Sequence, residues 1–96
     1  MTPTSGPEAD ALQRAVSEVL HYVWDPIGVA ARPEARNEYD GYVEGVCALL
    51  WRGTDVGGLV AYLVDIADTS MGLAGTHARA DRAANILLTW RDIVTR

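Results

Sequence analysis

V-G-G-L-V-A-Y-L-V, from Val56 to Val64, decides the fold class. It is the longest uncharged apolar run in the chain, closed off by Asp55 and Asp65. L-V-A-Y-L-V tolerates a buried strand as well as a helix. Leu59, Val60, Leu63, Val64 and Ala67 recur at helical spacing, and no other segment offers a convincing strand partner. The run is therefore read as a helix capped by Thr54 or Asp55 and ending near Asp68. Gly57 and Gly58 in its first turn each cost roughly 0.5–1 kcal/mol relative to alanine, which suits a close helix approach.

The neighbouring segments carry the same period. A helix from about Pro7 to Trp24 places Leu12, Val16, Val19, Leu20 and Val23 on one face. Gln13, Arg14, Ser17, Glu18 and His21 then cover the other. A second helix starts at Asn37 or Asp40, both good caps, and runs to Arg52 before Gly53. A last helix, capped by Thr76, reaches Val94. There Ala80, Ala83, Ala84, Leu87, Trp90 and Val94 face inward, and Arg79, Arg82, Asp81, Arg91 and Asp92 face solvent. The expected fold is all-α, a compact four-helix, bundle-like domain over residues 7–96 after a flexible N-terminus at 1–6.

Size supports a single core. For 10.4 kDa, surface scaling gives roughly 5,400 Å² exposed when folded against about 15,000 Å² unfolded. With 49% apolar and 22% charged residues the composition is globular rather than disordered. No apolar run approaches the ~20 residues of a membrane span. The first ten residues show neither a basic start nor an apolar stretch, so no signal peptide is expected and the location is read as cytoplasmic. Cys47, the single cysteine, is read as a small core residue. All eight basic residues are arginine, and lysine and phenylalanine are absent, a bias of GC-rich coding that points to a bacterium.

Charge is uneven. Residues 1–24 carry three acids and one arginine (−2), 25–68 eight acids and three arginines (−5), and 69–96 two acids and four arginines (+2). An acidic centre repels phosphate backbones, which argues against nucleic acid as a partner. It suits a basic protein surface, or internal pairing with the arginine-rich end.

The long connection after the first helix holds W-D-P-I-G, Trp24 to Gly28. Pro26 removes an N–H and disfavours helical geometry at Asp25. The Asp25 carboxylate is free to accept the amide of Ile27 or Gly28, and Gly28 suits a positive φ. Trp24, Asp25, Pro26 and Gly28 thus read as a structural turn, with Trp24 and Ile27 anchoring it. N-E-Y-D-G-Y follows, with Tyr39 and Tyr42 three apart. Tyrosines beside acids read as a partner-binding patch of Tyr39, Asp40, Tyr42 and Glu44, or as a cover for the bundle end.

V-W-D-P-I-G-V, P-E-A-R-N-E-Y-D-G-Y-V and the later S-M-G-L resemble a group of small bacterial helical proteins of unestablished function. Those carry W-D-P-x-G, a D-E-Y-D-like stretch and a late M-G-L. The likeness covers about residues 16–74. Asn37 stands where the group often has aspartate, and Asp68-Thr69-Ser70 replaces a more charged stretch. The resemblance implies a compact helical fold and no particular activity.

Catalytic chemistry finds little support. No nucleophile elbow, phosphate loop, C-x-x-C or H-E-x-x-H occurs. His21 and Asp25 are four apart, but zinc needs three or four ligands, so neither a metal site nor a cofactor is expected. Asp65 and Asp68 sit at the wrong end of their helix for its dipole, which reads as partner binding or as pairing with Arg79 or Arg82, the pairing being expected. The expected function is a small acidic protein-interaction module, an immunity-type inhibitor of a basic toxin being one form of it. The alternatives are a small metal-dependent enzyme using His21, Asp25 and neighbouring acids, and a homo-oligomeric structural module in which a second copy is the partner.

Overall fold

Helical periodicity at Val56–Val64 prevails. The computed structural model describes residues 6–35 and 37–95. These form helices α1 (Pro7–Val19), α2 (Asp40–Trp51), α3 (Val56–Thr69) and α4 (His77–Val94), with no strand among the described residues. A π-helical turn, Leu20–Trp24, continues α1, and a short 3-10 turn spans Pro33–Ala35. The fold is all-α and bundle-like. Residues 1–5 of the expected flexible N-terminus lie outside the described residues.

Asp55 starts α3, its carboxylate accepting the Gly58 amide at 2.8 Å. Leu59, Leu63 and Ala67 then fall inside. Gly57 and Gly58 do not mark a helix crossing: a Cβ on Gly58 would meet only the side chains of Thr54 and Asp55. The close approach lies at Gly45 on α2, where a Cβ would collide with the Tyr62 hydroxyl of α3.

α4 is the hub and packs against α1, α2 and α3. Ala80, Ala83, Ala84 and Leu87 are fully buried, and three alanines let neighbouring backbones approach closely. Trp90 departs from expectation at 40% exposed. At 3.6 residues per turn it falls about 70° from the centre of the face that Ala80, Ala83, Ala84 and Leu87 bury, whereas position 91 falls within that face. Arg91, expected in solvent, is half-buried instead. Its Nη1 donates to the Thr54 carbonyl at 2.8 Å and lies 3.5 Å from that of Leu50. It thereby serves the C-terminal end of α2.

The π turn corrects a second expectation. The Asp25 amide bonds the Leu20 carbonyl at 3.0 Å, five residues back. The wider turn shifts every later side chain round the axis. His21 and Trp24 are buried, while Tyr22 is 55% exposed and Val23 only half-buried. A straight α-helix would have put His21 outside. The start of α2 differs too: its N-cap is Tyr39, not Asn37 or Asp40, and makes no capping side-chain bond.

The folded surface is 5621 Å², close to the ~5,400 Å² that scaling gives for this mass. No helix is long and apolar enough to cross a membrane among the described residues. Among the described residues three buried side-chain polar atoms have no hydrogen-bond partner: His21 Nδ1, Trp24 Nε1 and Thr76 Oγ1. Thr76 is the N-cap of α4, yet its hydroxyl caps nothing. An unmet buried hydroxyl costs about 1–3 kcal/mol. Thr76→Val, equal in shape, is expected to leave stability unchanged or raise it by up to about 1 kcal/mol in urea unfolding. A loss of more than about 1 kcal/mol would show that the hydroxyl is satisfied.

Candidate functional site

Three sequence stretches meet at the end of α1. Pro26 denies helical geometry to the residue before it, and Asp25 sits at φ 31°, ψ 59°. Aspartate tolerates this left-handed region because its short side chain bonds the local backbone. Asp25 Oδ1 accepts the amides of Gly28 at 3.0 Å and Val29 at 2.7 Å. Oδ2 accepts the Ala30 amide at 2.9 Å. The Tyr39 hydroxyl donates to Oδ1 at 2.7 Å and itself accepts the Ile27 amide at 3.1 Å. Arg79 Nη1 donates to the Asp25 carbonyl at 3.1 Å, which ties the start of α4 to the same corner. Gly28, at φ 87°, supplies the change of direction.

Burial pushes the Asp25 carboxyl pKa up, but the bonds from the Tyr39 hydroxyl and from the Val29, Ala30 and Gly28 amides outweigh it. The carboxyl stays below the ordinary aspartate value and ionised. Tyr39 moves the opposite way, through burial and then through the carboxylate that accepts its proton, so it remains a phenol donor. The Trp24 ring lies 5.3 Å from Tyr39 and meets Tyr42 edge-on at 6.2 Å. Ile27 does not anchor the corner: its side chain is 44% exposed, and only its amide is held.

On the outer side of this corner lies a groove of about 370 Å³. Ile27, Glu38, Tyr42, Ser70, Met71 and Leu73 line it. W-D-P-I-G contributes Ile27, N-E-Y-D-G-Y contributes Glu38 and Tyr42, and S-M-G-L contributes the rest. Helical periodicity gave no signal for Glu38, Met71 or Leu73.

The expected patch of Tyr39, Asp40, Tyr42 and Glu44 is divided. Tyr39 is 2% exposed and its hydroxyl is spent inside, so it offers nothing to a partner. Tyr42 is half-buried at the groove. Asp40 is exposed and faces a separate hollow between α1 and α2, with Asp10, Gln13, Arg14, Ser17 and Val43. Glu44 is exposed on α2. The helical spacing of Tyr39 and Tyr42 is broken because α2 begins only at Asp40.

The His21–Asp25 pair is engaged within the fold. Both Asp25 oxygens are already bonded, His21 is buried, and no group of three His, Cys, Asp or Glu among the described residues could hold a metal. Asp65 and Asp68 form no ion pair with Arg79 or Arg82; Arg79 is engaged at the Asp25 carbonyl. Comparison with family models, curated proteins and solved structures finds no match.

Two measurements test this site. A folded-state pKa below the unfolded value near 3.9 stabilises the fold above that pH, and the stabilisation drains as pH falls through the folded pKa. Asp25→Asn is therefore expected to cost about 2–3 kcal/mol at pH 7 in urea unfolding. The gap to the wild type should shrink below about pH 4. A constant gap from pH 7 to 2 would contradict the ionised corner. The Cys47 thiol is pushed up to about 11 by burial and then by the Glu44 charge. Its alkylation by iodoacetamide at pH 8 should run about a hundredfold slower than that of a free thiol. A rate like that of an unfolded peptide would show the thiol to be open.

Proposed function

We propose that this chain is a non-enzymatic protein-interaction module that uses its acidic side to bind a basic partner. The single observation behind this reading is the groove at the Asp25 corner. Its apolar walls are half-open to solvent, and among the described residues its one charged lining residue is Glu38. Glu34, Asp40 and Glu44 are exposed on the adjoining segments. Aromatic and apolar contacts ringed by charge are the usual make-up of a protein interface, with Tyr42 as the aromatic contact. The formal charge of −5 would steer a cationic protein toward this side.

The mechanism is occlusion: a rigid corner presents the groove, and charge sets the approach. An immunity-type inhibitor that covers a basic bacterial toxin is one biological form of this reading, favoured by small size and acidity alone. Glu34, Glu38, Asp40 and Glu44 are exposed, and Arg79 and Arg91 bond backbone carbonyls rather than these acids.

The test begins with affinity capture from a bacterial host and then measures the purified partner by calorimetry. Reversing Glu38, Asp40 and Glu44 to arginine should weaken binding at least about tenfold, and raising salt should weaken the wild-type complex. Unchanged affinity on charge reversal would remove this surface from the interface.

A further inference from the structure

We infer that the groove is a socket for one arginine side chain of the partner, a step that rests on the protein-binding reading above. Three features of the groove choose arginine over a neutral or apolar side chain.

The first is the helix end that forms one wall. α3 stops at Thr69, and Ser70, Met71 and Leu73 pass directly into the groove lining. A helix C-terminus carries partial negative charge on its last carbonyls, and chains commonly place lysine or arginine there. α3 has no basic residue in its last turn. It has Asp65 and Asp68 instead, and neither forms an ion pair with any described residue. The turn that follows uses the carbonyls of Ile66 and Ala67, bonded by the Ser70 amide at 2.9 Å and the Leu73 amide at 2.8 Å. Among the described residues no basic side chain bonds or pairs with this helix end.

The second is Glu38, which brings a full negative charge to the groove that Tyr42 also lines. A guanidinium bonds a carboxylate in two-pronged fashion and stacks on an aromatic face, and it sheds water more readily than an ammonium. The third is the apolar part of the lining. Ile27, Met71 and Leu73 offer a track for three methylenes, which an arginine stem covers while its head stays at the charged rim.

The probe is the capped peptide acetyl-Ala-Arg-Ala-amide, titrated at millimolar concentration into the ¹⁵N-labelled chain. Counterparts carry citrulline, which keeps the shape without the charge, or norleucine, which keeps only the stem. The arginine peptide should shift the amides of Ile27, Tyr42, Met71 and Leu73, and citrulline should bind about tenfold more weakly. Glu38→Gln, checked for an unchanged spectrum elsewhere, should weaken the arginine peptide by a similar factor. Equal shifts from norleucine and arginine would overturn the inference in favour of an apolar pocket, and so would no shift at these residues. The two readings fail separately. If charge reversal weakens the captured partner but the peptide pattern fails, only the arginine socket falls. If charge reversal leaves the partner unaffected, the module reading falls whatever the peptides do.

Discussion

The Asp25 carboxylate organises the part of the chain that has no helix to organise it. Between Trp24 and Tyr39 the backbone amides lack a regular ladder, and a buried amide must be paired somehow. Two carboxylate oxygens take up the amides of Gly28, Val29 and Ala30 and the Tyr39 hydroxyl. Tyr39 in turn holds the Ile27 amide. A single acid therefore fixes the path of a loop and the residue at which α2 begins. Position 25 needs both a carboxylate and tolerance of positive φ, and aspartate supplies the two together.

α4 distributes that constraint through the molecule. Its buried alanines admit the other helices closely, while its arginines reach across them. Arg79 bonds the carbonyl of Asp25 in the α1–α2 connection, and Arg91 bonds that of Thr54 between α2 and α3. Both irregular connections are thus fastened to the hub through main-chain oxygens. These bonds go to main-chain oxygens rather than to the acids of the central segment, of which Glu34, Glu38, Asp40 and Glu44 lie exposed.

The groove is a by-product of the same arrangement. The corner turns Ile27 outward and Trp24 inward, and Trp24 sets Tyr42 on edge. The end of α3 then closes the other side with Ser70, Met71 and Leu73. None of these residues is positioned by its own helix alone. The proposed binding surface would inherit rigidity from the buried bonds beneath it, which lowers the ordering cost of binding.

Helix count and approximate limits were legible in the chain, because Leu59, Leu63 and Ala67, or Ala80, Ala83 and Leu87, repeat at a local spacing that any reader can follow. Asp25-Pro26 also announced a stop, since proline acts on its immediate neighbour. The sequence by itself thus determined an all-α chain, an acidic centre and a sharp turn after Trp24. Tertiary structure alone decided that the last turn of the first helix widens and buries His21, that Tyr39 spends its hydroxyl on Asp25, and that Arg91 rather than Trp90 turns inward. Those outcomes depend on partners 14 residues away for Tyr39 and 37 for Arg91. Local periodicity records which face of a helix is oily, but only packing determines which distant polar group a buried donor will find.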